Sequence, residues 1–533
     1  MFFDRTGGQP SARRAKVSKP KSFRAPFKGW IQSEVPGYPT EGGAALLDNW
    51  FPTTTGARMR KGSQTHATIT AAVDHIAVYD GASPKMFAAD ETTISDITSP
   101  VAADTPPTAA VSSLTSGDWS SVQIETAGGL FLVMVNGFDD MQQFDGSSWL
   151  AVDASSSPRS ITGVTTANLS HVWKHKNRLF LIEKGTNSAW YLPSLAVGGA
   201  ANELALGGVF SLGGSLLFGA TLSNDAGDGL DDYCLFFTDK GEVAVYQGTD
   251  PSSASTWALV GVYRIGEPLH KNAHFKAGGD IAVLTREGIV PVSAALSKDR
   301  TGLQMAAITY PIEEAWRTFM LTRTGLSSNF CCVLWHTASM LVVGLPKASS
   351  LETKALAANA RTGAWSSGFT GWDARCLAVF DNKLYFGTAE GTIKQGDTTG
   401  SDDGENFTAV CVPSFDMMKT PNVKSALHCR ATVKTNYDYP FQLFANADYV
   451  ISAPLPLSAP TQGAENTWGT GVWGTSVWGS GEERKSVSSE WQNVEAVGFA
   501  IAPGISITSG ETIAPDVELT NLDLIFQEGE MIG

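Results

Sequence analysis

The chain has 533 residues, more than one hydrophobic core organises, so it holds two or three domains or one large closed repeat. Its 54 glycines and 15 tryptophans, with 17% charged and 43% hydrophobic residues, exclude a disordered chain and point to a turn-rich β protein. A formal net charge of -15 excludes a protein that coats nucleic acid through its whole surface.

Residues 1 to 30 run against that balance. They carry Arg5, Arg13, Arg14, Lys16, Lys19, Lys21, Arg24 and Lys28 against Asp4 alone, with Pro10, Pro20 and Pro26 between them. Like charges and prolines favour an extended, irregular chain, so 1-45 reads as an N-terminal arm. It is either a free basic tail or an arm that docks on an acidic neighbour or on phosphates, with Arg13, Arg14, Lys16, Lys19, Lys21 and Arg24 as its candidate contacts. Met1-Phe2-Phe3-Asp4 leads into polar residues and not into the apolar run of a signal peptide. No stretch of about 18 apolar residues predicts a membrane span.

After the arm, Ala57 and Met59 fall on one face of an extended segment and Arg58 and Arg60 on the other. From there a unit recurs: an apolar strand, a turn containing glycine and a short second strand. It is seen from Ile76, Leu130, Leu179, Leu235 and Ile281, without the glycine from Cys332, and most clearly from Cys376 to Gln395. The turn glycines Gly81, Gly137, Gly185, Gly241, Gly288 and Gly391 are spaced by 56, 48, 56, 47 and 103 residues. A period near fifty with three or four short strands predicts a β-propeller of six or seven blades over 46-398, because one small meander cannot bury both of its faces. Within it, Tyr310 to Phe319 reads as a helix with Ile312, Trp316 and Phe319 on one face.

Past a polar linker, Ser401 to Asn406, alternating strands predict a C-terminal β-sandwich over 399-533: Phe407 to Val412, Ala426 to Thr435, Phe441 to Phe444, Trp491 to Ile501 and Val517 to Phe526. It is interrupted by a Trp/Gly loop in which Trp468, Trp473 and Trp478 recur every five residues. That period suits neither helix nor strand, so the tryptophans either fold onto the sandwich or anchor a partner.

Chemistry is sparse. There is no P-loop, HExxH or GxSxG. His171 with His175 and His270 with His274 are spaced i, i+4, but in β sequence four residues span about 13 Å and separate the rings. The acidic stretch from Asn224 to Asp232 departs from the EF-hand spacing, and with Ser223 it only partly resembles the sialidase SxDxGxxW box, Leu230 standing at the aromatic position. The sequons at Asn168 and Asn406 have no role without secretion. The six cysteines form no CxxC pair and read as reduced and buried, as in a chain folded in a cytoplasm. No metal, no cofactor and no enzymatic activity are expected.

Three stretches carry a resemblance: DNWFPTTTGARMRKGS (Asp48 to Ser63), YRIGEPLHKNAHFKAGGDIAVLTREGIVPVSA (Tyr263 to Ala294) and TGAWSSGFTGWDARCLAVFDNKLYFGTAEG (Thr362 to Gly391). Together they resemble tail nozzle, or tubular tail protein B-like, components of short-tailed bacteriophages. The resemblance spans most of 45-397 and leaves the C-terminal part unmatched. It implies a virion structural protein, made in the host cytoplasm, that forms a ring usually of six copies. Such a ring continues the portal-adaptor channel, retains the genome and conducts double-stranded DNA without reading its sequence, with the tail adaptor and tail fibres as neighbours. The alternative is a carbohydrate-binding or depolymerising propeller of a phage tail, with tryptophans as sugar platforms.

Overall fold

The computed structural model describes residues 18–32, 39–102, 105–223, 232–298, 300–323, 330–347, 352–435, 439–459, 485–510 and 513–529. The segments carrying Arg13, Arg14, Lys16, residues 224–231 of the acidic stretch and Trp468, Trp473 and Trp478 lie outside these residues.

The chain is an all-β protein whose larger part is a propeller. Seven small antiparallel sheets follow one another in sequence among the described residues. Their first strands are His75–Tyr79, Ser120–Thr126, Leu169–His175, Leu216–Leu222, His274–Ala277, Cys331–Trp335 and Cys376–Phe380. First strands lie side by side from blade two to blade four and from blade five to blade seven, and Cys376–Phe380 returns to His75–Tyr79; His75 with Ser121 and Phe218 with His274 join the remaining neighbours and close the circle. Blade seven is completed by Gly62–Thr68, which pairs with Thr392–Thr399 and so ties the start of the propeller to its end. Blade five has three strands, and the helix Glu313–Arg323 follows it, with Trp316 Nε1 donating to Thr285 O at 3.1 Å.

Local chemistry explains the repeat. In blade seven Asp381 and Asn382 both take positive φ, 47° and 58°, as the tight turn of a two-residue hairpin requires. Gly241 and Gly391 occupy equivalent turns in blades four and seven, with φ of 77° and 83°. Their carbonyls accept from Ile265 N and Ile69 N at 2.9 and 2.8 Å, where each outer strand ends. A Cβ at either would lie 2.6 Å from a backbone oxygen, so only glycine fits.

The second body is a sandwich of two sheets. One is built from Lys424–Thr435, Val517–Glu528, Lys485–Ser488 and Gln492–Gly498, and the other from Phe407–Pro413, Ile501–Ser509 and Phe441–Ala447. Both recruit the N-terminal part of the chain. Ser18–Arg24 pairs antiparallel with Val517–Glu528 over seven residues, and Ala57–Met59 pairs further along the same strand. Gly43–Asp48 pairs with Phe407–Pro413. The arm from Ser18 is thus extended and zipped into a ladder, and the division at residue 45 or 46 gives way to a propeller that begins at Gly62. Physically, these strands occupy a sheet edge that would otherwise be open. The stretch expected as one strand from Trp491 to Ile501 is two strands in different sheets, turning at Phe499 and Ala500.

The two bodies share a core. Trp30, Trp50, Trp316 and Trp365 form one buried cluster with Leu284, Leu356, Cys411, Ile505 and Leu522, which reaches from blades five and six into both sandwich sheets. Trp365 and Trp372 are both buried, Trp365 in this shared cluster and Trp372 stacked on Phe386 of blade seven.

Candidate functional site on the propeller axis

The first strands converge on a cavity of about 270 Å³, lined among others by Asp74, His75, Ser120, Ser121, His171, Asn272, His274, Cys331, Arg375 and Cys376. Six of the seven blades reach it. His171 is held at both ring nitrogens: Nε2 donates to Gly219 O at 3.0 Å and Nδ1 accepts from Ser120 Oγ at 2.9 Å. His75 Nε2 lies 3.0 Å from Ser121 Oγ. The His274 ring lies flat on Phe218, centroids 4.5 Å apart, and Phe218 stacks on Phe237 at 4.2 Å. His171 and His274 meet edge to face with centroids 5.9 Å apart. The structure therefore pairs these histidines across blades, one from each i, i+4 pair. Among the described residues no three metal-ligating side chains come together.

Burial fixes the charge state. It pushes His75 and His274 down to about 4 and His171 well below the usual imidazole range. It pushes the Cys331 and Cys376 thiols well up, so they stay protonated and are poor nucleophiles. Ser120 and His171 have the spacing of a nucleophile and its base, yet the lowered basicity of His171 and its second bond to Gly219 make the pair a strut between blades two, three and four.

One end of the axis is crossed by the loop entering blade five. Lys271 Nζ lies 2.6 Å from Asp118 O, 3.0 Å from Ser170 O and 3.2 Å from Asp118 Oδ2. His270 Nε2 is 3.4 Å from Asp118 Oδ1, and Asn272 Nδ2 donates to Trp119 O at 2.8 Å. Burial alone would raise Asp118, but the His270 hydrogen bond and the Lys271 charge outweigh it and hold the carboxyl well below the usual range. Arg375 pairs with Asp74 where blade seven meets blade one.

A second polar cluster joins propeller to sandwich. Arg60 is fully buried and its five N–H donors all have acceptors: Asn49 Oδ1 at 2.7 Å, Lys61 O and Thr370 O at 3.0 Å, and Asp402 Oδ1 and Oδ2 at 3.1 and 2.6 Å. Its guanidinium sits 3.9 Å from the centroid of the Phe407 ring. Arg58 grips Asp397 through two bonds, at 2.8 and 3.3 Å. The polar stretch 401–406, expected as a linker, is instead a fixed corner: Asp402 also accepts from Ser63 N and Oγ at 2.9 Å, and Asp403 pairs with Lys394 at 2.6 Å.

The arm's described cations are engaged within the chain. Lys19 pairs with Glu528 at 2.9 Å, Lys21 with Asp416 at 2.7 Å and Arg24 with Glu41 at 3.2 Å. Sequence reasoning missed the axial group of His75, Asp118, Lys271 and Asn272. The available signal was a polar residue at the head of three of the seven first strands, HIAVY, SSVQIET and HFKA. The cysteines are free, and all but Cys332 are buried. No helix among the described residues is long and apolar enough to cross a membrane.

Searches with family models and against curated proteins return no match. Among solved structures the chain is similar to the Myceliophteria thermophila Cps50 (Swd1) β-propeller domain, with 11% identity and a TM-score of 0.39 over 63% of this chain and 100% of that one. It is similar to YCF48 with 12% identity and a TM-score of 0.36 over 64% and 95% of the two chains. It is also similar to the computationally designed Ika8 protein, at 11% identity and 0.35 over 63% and 99%.

Proposed function

We propose that this chain is a structural subunit of a bacteriophage tail, forming an oligomeric ring that extends the portal-adaptor channel, retains the genome and passes DNA during ejection. The resemblance of Asp48 to Ser63, Tyr263 to Ala294 and Thr362 to Gly391 to tail nozzle components suggests it. The observation that carries it is a two-body subunit with a shared core whose described residues include exposed large apolar side chains, Leu455 at 87% and Val497 at 65%. A shared core and a fully bonded Arg60 suit a wall that must hold shape against a pressurised genome.

On this reading the DNA path lies between copies. A cavity of about 270 Å³, plugged by Lys271 and Asp118, is far too small for a duplex, whose major groove alone is about 12 Å wide. The net charge of -15 favours a lumen that repels phosphates and lets DNA slide. Native mass spectrometry and electron microscopy of the purified chain test the proposal. A closed ring with an open centre is expected. A monomer at all concentrations, or cleavage of polysaccharide by the purified protein, overturns it.

A further inference from the structure

Among the described residues two apolar surfaces lack a cover, and they are different in kind. The first is the outer strand of blade four, Trp257–Arg264, sequence WALVGVYR. It ends its sheet, and Leu259, Val260 and Val262 are exposed along it. The outer strands of blades one, two and three have only three, four and four residues. Proteins shorten, charge or cover such edges because their unpaired N–H and C=O groups template another strand. This edge has eight residues and one charge, Arg264 at its end, and a single bulge at Val260 divides it into two regular runs, Trp257 to Leu259 and Gly261 to Arg264.

The second surface is the segment 450–459, VISAPLPLSA, which contains no charged residue. Val450 N bonds to Ala447 O at 3.1 Å and Ser452 N to Asn446 Oδ1 at 2.8 Å. Beyond them, no backbone group from Ala453 to Ala459 has a partner among the described residues. Pro454 and Pro456 stand two residues apart, so in an extended chain their missing donors fall on one edge. Only the opposite edge, that of Ala453, Leu455 and Leu457, can join a ladder.

We propose that the free edge of blade four binds segment 453–459 of a neighbouring copy as an added strand. The inference rests on the ring reading above and names its contact. The occupant is a second copy because the two surfaces are unlike, both apolar, and carried by one rigid body. Such heterologous patches join head to tail and close when the rotation allows. Backbone pairing supplies the affinity and the leucines the register, as in other strand additions. The proline edge accepts no further strand, so the contact ends at one added strand and does not grow into a stack.

The test uses the full chain, with Val260→Lys and Leu455→Lys compared with wild type by native mass spectrometry and thermal unfolding. Leu321→Lys, on an exposed helical position, serves as the control. The expected result is loss of the oligomer in the first two variants, its retention in the third and unchanged melting in all. If the ring persists in both edge variants, the contact is wrong and the ring reading stands. If wild type is itself monomeric, both are wrong. A second measurement guards against a blade-four variant that fails to fold: Val260→Cys and Leu455→Cys proteins are mixed and oxidised. A disulfide-linked dimer from the mixture and none from either alone is expected, and an intact ring without that crosslink overturns the proposal.

Discussion

Two buried cations hold this molecule together in opposite ways. Arg60 joins the propeller to the sandwich, and Lys271 closes the propeller's axis. Both have every donor engaged, but their surroundings differ. The acceptors of Arg60 are Asn49, Asp402 and the backbone carbonyls of Lys61 and Thr370, with no histidine among them. Lys271 sits among His75, His171, His270 and His274, with Asp118 as its counter-charge among the described residues. The lesson is that the joint between bodies is built to be insensitive to conditions, whereas the centre of the propeller is poised against protons.

The comparison predicts its largest effect at the joint. Arg60→Ala leaves Asp402 without its guanidinium and opens space beside Phe407, and breaking a buried pair in this way costs about 3–5 kcal/mol. Urea unfolding should show that loss with little change in the Asp402→Asn, Arg60→Met double variant relative to the single one. A cost below about 1 kcal/mol would mean that the joint is held by the tryptophan core alone.

The axis should fail with acid. His75 and His274 titrate near 4 when folded and near 6.5 when unfolded, so between these values the unfolded chain binds more protons. Stability therefore falls as pH drops from about 6.5 to about 4, by up to about 3 kcal/mol for each ring, and then levels for these groups. Asp118 acts lower: its folded value lies below the ordinary 3.8, so its stabilisation holds above that value and is lost as pH falls through the folded one. Chemical unfolding across pH 7 to 4 should show the slope, and His75→Gln with His274→Gln should make it shallower, the remainder coming from buried His171. A wild-type profile without slope would erase the contrast between the two clusters.

How much of this was legible in sequence depends on how local the cause is. The turns at Gly241 and Gly391 announce themselves, because positive φ and a carbonyl 2.6 Å away leave one residue type. So does the hairpin at Asp381 and Asn382. Arg60 was visible as one face of a strand, but its partner Asp402 is 342 positions away and sits in what reads as a polar linker. Lys271 gives no local sign of its role, since nothing nearby in sequence says that Asp118 and Ser170 arrive from other blades. The blade boundaries follow from short-range turn chemistry, while closure by Gly62–Thr68 and the recruitment of Ser18–Arg24 to the sandwich are long-range pairings that periodicity does not encode. As a check on the local rule, Gly241→Ala or Gly391→Ala should each cost about 2 kcal/mol, measured by thermal unfolding, with Gly185→Ala, whose Cβ would meet nothing, costing less.

The smallest effect is expected where the sequence looked most eventful, in the basic arm. Lys19 and Arg24 make ion pairs with side chains more than half exposed, and such pairs contribute about 0–1 kcal/mol. The arm's grip comes from a seven-residue ladder with Val517–Glu528 and from Phe23, which is buried in the shared core. Replacing Lys19, Lys21 and Arg24 together by Gln should therefore leave unfolding nearly unchanged, whereas Phe23→Ala should lose about 3 kcal/mol. If the triple Gln variant keeps its stability but no longer assembles, these cations belong to a partner. If it loses stability as Phe23→Ala does, charge and not the ladder anchors the arm, and the arm joins Lys271 on the electrostatic side of the comparison.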